Sequence, residues 1–173
     1  NVQVVCFAAG TRIDTPGGTC RVERLRPGDL VATADHGPQP VRWIGTASVD
    51  ARRDPAQRKL LPVLIRADAL APGYPAAELL VSPQHRILVN SPVAERMFGA
   101  REVLVPAIKL LGHPGIEHAP GVDRVSYFHL LLDRHEIVFA NGTPAETMLR
   151  GVEALKSLSD AELAEIKALF PDI

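Results

Sequence analysis

Aromatic residues are scarce in this 173-residue chain: five Phe, two Tyr and one Trp, 5% of the whole. The core therefore has to be built from Val, Leu, Ile and Ala. Cysteine is scarcer still. Cys6 and Cys20 are the only two, whereas a disulfide-framed secreted domain of this size carries four or more, so a reducing compartment is expected and at most one bridge could form. Charge of one sign is also missing. Nineteen basic and twenty acidic residues leave a net charge of −1, so no global field draws nucleic acid or an anionic membrane, and neither is expected as a partner. No apolar run approaches the ~20 residues that span a bilayer, and Asn1–Val5 lacks the basic start of a signal peptide. There is no C-x-x-C or H-E-x-x-H pattern and no glycine-rich loop opening a helix, so no metal or cofactor is expected. Zinc would find a thiolate and an imidazole in Cys6 and His85, but nothing in the chain requires it.

What the chain does have is 15 prolines and 13 glycines in a composition that is 46% hydrophobic and 23% charged. That is a globular composition cut into short elements. Residues 2–8 form a β-branched apolar run. Short strands follow near Arg12-Ile13, Leu30–Thr33, Val41–Thr46, Leu60–Ile65, Glu78–Val81, Arg86–Val89, Val125–Leu132 and Glu136–Phe139. Turn signals separate them, among them Thr15-Pro16-Gly17-Gly18, Arg26-Pro27-Gly28-Asp29 and Ala140-Asn141-Gly142. Strands of this length, about ten residues apart, predict an all-β domain. Glu102–Leu111 reads as extended, His113–Gly121 and Asp50–Lys59 as loops. The tail changes period: Ser159-Asp160-Ala161-Glu162 is a capping box, and Leu163, Ile166 and Leu169 follow at helical spacing. The expected organisation is a short upstream segment (1–5), a β body (6–150) and a helical tail (151–173).

Cys6 is the leading candidate for chemistry. A cysteine in an apolar strand is by default a small buried hydrophobe, but four segments in order change that reading. Cys6-Phe7-Ala8-Ala9-Gly10-Thr11 resembles the first block of the Hint (Hedgehog/intein) superfamily. Val22 to Val31 (V-E-R-L-R-P-G-D-L-V) is similar to that family's V-E-x-L-x-x-G-D-x-V stretch. Leu80 to Leu88 (L-V-S-P-Q-H-R-I-L) resembles its T-x-x-H block with Ser82 in place of Thr. Tyr127 to Gly142, with His135 and Ala140-Asn141-Gly142, resembles its late block. Trp43-Ile44-Gly45 is similar to the bacterial intein-like subgroup.

The resemblance implies a horseshoe-like all-β fold and cleavage of the chain by itself at the bond between Val5 and Cys6. The Cys6 thiolate would attack the Val5 carbonyl carbon, the oxyanion would need hydrogen-bond donors, and His85 would protonate the departing α-amine. Ser82 would bond the scissile amide or orient the imidazole. His135 would hold or protonate groups near the junction. Strand alternation places His129, Leu131, Asp133 and His135 on one face, which makes His129 and Asp133 supporting candidates. The resulting thioester would pass its acyl group to water, a thiol or an amine, with the chain's own upstream polypeptide as substrate.

Departures from the family pattern narrow the chemistry. Inteins end in His-Asn before Cys, Ser or Thr; after Asn141-Gly142 this chain reads Thr143-Pro144-Ala145-Glu146-Thr147-Met148, so splicing is not expected. Asn141 instead fits the positive-φ position of a type I′ turn. Hedgehog domains carry an Asp that activates a sterol hydroxyl where this chain has Thr46, with Asp50 offset by four, so sterol transfer is not expected either. The β-branched Val5 crowds the carbonyl, which predicts slow cleavage. Two other classes stay open. One is a Hint-fold interaction or secretion module without activity, the other a cysteine hydrolase acting in trans. The chain reads as a soluble domain of a GC-rich bacterium (fifteen Arg to four Lys), cytoplasmic or exported within a larger protein, with Asn1 continuing from an upstream partner.

Overall fold

A computed structural model describes residues 5–92, 95–96, 99–147, 160 and 164. Fourteen strands are described, in two six-stranded antiparallel sheets and one small pair. The first sheet runs in the order β11 (Ile116–His118), β7 (Val63–Ile65), β8 (Leu79–Val81), β1 (Phe7–Ala8), β12 (Arg124–Leu131), β6 (Trp43–Asp50). The second runs β10 (Glu102–Pro106), β9 (Arg86–Asn90), β14 (Thr143–Glu146), β13 (Ile137–Ala140), β2 (Arg12–Thr15), β3 (Gly18–Arg21). β4 (Leu30–Val31) and β5 (Gln39–Pro40) form the third. The core is aliphatic, as the composition demands: Val22, Val31, Val41, Ile65, Leu79, Ile87, Leu130 and Val138 are all buried, with Phe7 as its principal aromatic.

Two features place the site. β1 is short but central, wedged between β8 and β12, with Phe7 opposite both Val81 and Phe128. β14 is likewise central, with Ala145 opposite Ile87 of β9 and Val138 of β13. The corner between β8 and β9, Ser82-Pro83-Gln84-His85, is a turn closed by the His85 N–H on the Ser82 carbonyl at 3.0 Å. It is locked from outside by Ala107 N–H on His85 O (2.8 Å) and Ile108 N–H on Pro83 O (2.9 Å).

The expected hairpin turn at Ala140-Asn141-Gly142 joins β13 to β14, with Asn141 at φ 47° and Gly142 at φ 79°. These two positive φ values are those of a type I′ turn. The Asn141 side chain secures it, accepting from Arg12 N–H and donating to Glu78 O, both at 2.8 Å. Some boundaries differ from the sequence expectation. β6 runs on to Asp50 because its alternate residues Ala47 and Val49 are buried against the core. The expected loop 113–121 contains β11, and the extended reading of 102–111 ends at Pro106, where a 3-10 turn over Ala107–Leu110 takes over. The helix expected over 151–173 lies outside the described residues, except that Asp160 and Ala164 are helical.

Candidate functional site

The bond between Val5 and Cys6 enters the molecule at the head of β1, and the central position of that strand buries it. Val5 is 5% exposed and Cys6 has no exposed surface. The polar groups of the junction find their partners on two other parts of the fold, β12 and the β8–β9 corner. The Cys6 N–H donates to Ser82 Oγ at 3.0 Å. The Val5 carbonyl accepts a short hydrogen bond from His129 Nδ1. The Cys6 carbonyl accepts from Ser82 N–H at 3.1 Å and faces His85 Nδ1 at 3.0 Å.

These contacts follow from register. Phe7 pairs with Phe128 and Ala8 with Tyr127, so one residue further back along β1 lies across from His129. Alternation then turns His129 and Tyr127 to the same face of β12. The β8–β9 corner brings Ser82 and His85 to the other side of β1, where the Phe7 and His85 rings lie 4.3 Å apart.

Burial sets the electrostatics. It pushes the His129 imidazole down to about 4, with the neighbouring His85 adding to the effect and the bond to Val5 opposing it. His129 is therefore neutral at neutral pH, and its one proton sits on Nδ1 wherever that nitrogen donates to Val5 O. Burial also lowers His85, against the bonds to Cys6 and Glu146 and the Glu146 charge. The Cys6 thiol is pushed far above its ordinary value by burial alone. Among the described residues no hydrogen-bonding group reaches its sulfur. The Tyr127 phenol, tied to Leu60 O at 2.6 Å, is likewise pushed up by burial and by the nearby thiol.

The structure thus brings together Val5, Cys6, Ser82, His85 and His129. His85 faces the Cys6 carbonyl where the sequence expectation had it serving the scissile nitrogen; that nitrogen belongs to Ser82. His135 does not touch the junction. Its Nε2 lies 3.0 Å from a carboxylate oxygen of Glu146. Asp133 is exposed and bidentate with Arg42 at 2.8 and 2.9 Å. The face expected to hold His129, Leu131, Asp133 and His135 does not exist: β12 stops at Leu131, and Leu130, Leu131 and Leu132 are all buried, so alternation fails there. Thr46 is exposed and pairs with Phe128, on the opposite face from His129.

Glu146 is the residue that sequence reasoning missed. Its main-chain carbonyl lies 2.8 Å from His85 Nε2. Its carboxylate, fully buried, takes Arg86 N–H at 3.1 Å, Arg86 Nε at 2.9 Å and the Arg86 guanidinium again at 2.8 Å. Burial raises this carboxyl, but the hydrogen bonds from His135 and Arg86 and the Arg86 charge outweigh it and hold it below the usual carboxylate range. Among the described residues no three His, Cys, Asp or Glu side chains are placed to hold a metal ion. No described helix is long and apolar enough to cross a membrane.

Comparisons with known proteins agree with this architecture. The solution structure of a bacterial intein-like domain from Clostridium thermocellum aligns with a TM-score of 0.54 at 16% identity, over 84% of this chain and 99% of that one. The crystal structure of the MchDnaB-1 intein aligns at 0.50 and 13% identity, over 82% and 99%. Identities this low speak for the fold alone. No curated protein sequence matches significantly. The family profile of the Hint domain matches residues 5–152. A match of that extent makes this chain a member of the Hint domain family, with a fold shared by an intein-like domain.

Proposed function

We propose that the domain performs an N-to-S acyl shift at Val5–Cys6, with residues 1–5 as the acyl-side segment, and then releases that segment without splicing. The Cys6 sulfur attacks the Val5 carbonyl carbon. The C–N bond breaks, the thiol proton ends on the Cys6 amine, and a thioester replaces the amide. Water, a thiol or an amine then takes the acyl group and returns the free thiol.

The observation that carries this reading is the junction peptide itself: its carbonyl takes a buried imidazole N–H from His129 while its N–H is held by Ser82 Oγ. A neutral imidazole aimed at the carbonyl that becomes the oxyanion stabilises the developing charge, and in a dry site such a donor is worth far more than in water. Ser82 accepts from the peptide N–H now, and its hydroxyl can turn to donate once the nitrogen becomes an amine. His85, bonded to the next carbonyl along, is the proton source on that side. The thiol is the unactivated partner. Its burial keeps it protonated, which together with the branched Val5 makes the reaction slow.

Incubation with excess dithiothreitol near neutral pH tests the reading. The intact mass is expected to split at Val5–Cys6 over hours to days in the wild-type chain and not in Cys6→Ala. A constant mass in both supports the inactive-module reading, which the dry thiol favours. A hydrolase acting in trans needs an open cleft at the sulfur, and the burial of Cys6 speaks against one.

A further inference from the structure

His85 is buried with both ring nitrogens at hydrogen-bond distance from carbonyl oxygens, Nδ1 from Cys6 O at 3.0 Å and Nε2 from Glu146 O at 2.8 Å. A carbonyl only accepts, and a neutral imidazole has one N–H. The ring therefore satisfies both partners only as the imidazolium, and as a neutral ring it sets a lone pair against one of them. Burying an unpaired imidazolium is costly, so the arrangement needs a negative charge close by.

The groups around the ring supply one. From β9 comes Arg86, from β12 His129, from β1 Cys6 and the Phe7 ring, and from β14 Glu146. Of these Glu146 is the anion at neutral pH. Its carboxylate is fixed by Arg86 at 2.8–3.1 Å and by His135 at 3.0 Å. The main chain of the same residue accepts from His85, so ring and carboxylate cannot move independently. Arg86 opposes the second proton on His85 and Glu146 favours it. The exposed edges of this network are Arg86 and His135, whose side chains are 23% and 27% exposed, while Glu146 is wholly enclosed.

We propose that Glu146 is a positioning residue for the self-processing reaction: its carbonyl fixes His85 through Nε2–H, and its carboxylate, pinned by Arg86 and His135, favours uptake of a second proton on Nδ1 beside Cys6 against the opposing effect of burial. It touches neither the scissile bond nor the sulfur and acts through His85. This makes the β13–β14 hairpin, which ends in Glu146, and His135 just ahead of it part of the machinery at a junction more than a hundred residues away in sequence. The inference rests on the acyl-shift reading for its effect on rate, but its effect on His85 can be read without any cleavage.

The test has two arms. In the first, the His85 ring is followed by nitrogen-15 NMR in the full-length Cys6→Ala chain, which cannot cleave. Glu146→Gln is expected to move the His85 titration to lower pH, because the charge that favours its second proton is gone; Glu146→Asp, which keeps the charge, is expected to leave it closer to the parent. Titrations that coincide in all three proteins would overturn the proposal.

In the second arm, cleavage of the Cys6 protein is measured against pH at saturating hydroxylamine. A reaction needing the thiolate and the His85 cation rises tenfold per pH unit up to the His85 titration and is flat above it. Glu146→Gln is expected to lower that break and to reduce the plateau rate by the same factor, tenfold for each pH unit the break moves. A merely structural Glu146 would lower the folded fraction and leave the break where it was, and that result would also overturn the proposal. If the wild-type chain does not cleave, the acyl-shift reading fails while the NMR arm still decides the role of Glu146. If Glu146→Gln does not fold, Glu146→Asp carries both arms against His135→Leu, which keeps the carboxylate but removes one of its donors. His135→Leu is then expected to lower the His85 titration and Glu146→Asp to lower it less; an unmoved titration in both would refute the assignment.

Discussion

Replacing His129 tests the electrostatic side of the mechanism. In His129→Ala the Val5 carbonyl loses its donor inside a dry site. Loss of one oxyanion donor costs a factor of 10² to 10³ in rate, about 2.7–4 kcal/mol. The ground state suffers as well, since a buried carbonyl left unpaired costs about 1–3 kcal/mol of stability. Part of the rate loss would be offset by that ground-state destabilisation, so a fall of about 10² is the expected net result. His129→Gln separates the two effects: its amide N–H can reach toward the same oxygen, so it should recover part of the rate. The assay is the first-order rate of fragment release in excess hydroxylamine, followed by intact mass on protein shown to be folded by its thermal transition. A folded His129→Ala protein cleaving at the wild-type rate would refute the assignment of the oxyanion donor.

Other consequences follow from the same geometry. His129 is depressed from its ordinary 6.5 to about 4, so between those values the unfolded chain binds the proton and the folded one does not. Its contribution to stability is complete above pH 6.5 and is lost as pH falls toward 4, about 3 kcal/mol in all; His85, also depressed, works in the same direction. Denaturant midpoints should fall across that window, and His129→Gln should flatten the fall. Ser82→Ala leaves the Cys6 N–H unpaired in a buried site, which predicts a loss of about 1–3 kcal/mol in stability and a cleavage rate lowered about tenfold or more; Ser82→Thr keeps the hydroxyl and should behave as wild type. Asn141→Ala keeps the left-handed backbone at φ 47° but loses the amide side chain that favours it there, together with two side-chain hydrogen bonds at about 0.5–1.5 kcal/mol each. It should lower the thermal midpoint while the folded fraction cleaves at the normal rate.

Much of this was readable from the chain because the informative residues sit at sharp local signals. Cys6 precedes a turn, Ser82 and His85 bracket a Pro-containing corner, and Asn141-Gly142 is a hairpin turn in sequence as well as in space. The pairing of His129 with Val5 was only half legible. His129 is visible as a polar residue in an apolar run, but its alignment with the junction depends on β1 inserting between β8 and β12, a contact across 124 residues of sequence. The strand alternation that grouped it with Asp133 broke where three consecutive leucines are buried by other elements. Glu146 was not legible because Pro144 two residues earlier argues against a central strand. In the structure Pro144 sits in one regardless, opposite Phe139, and carries Glu146 into the core. The one available hint was spacing: Ala145 and Thr143 share the apolar or small character of a buried strand, leaving Glu146 as an acid at its end.

The central claim is that the Val5 acyl group can move onto the Cys6 sulfur. Trapping with hydroxylamine addresses it most directly, because that nucleophile marks the carbon it attacks. Fragment analysis should show an upstream peptide ending in a Val5 hydroxamate and a partner beginning at Cys6, with neither formed by Cys6→Ala. A cut at Asn141-Gly142 is hydroxylamine's own and is common to both proteins; absence of the Val5 hydroxamate from the wild-type digest, or its equal formation in the alanine variant, would contradict the account.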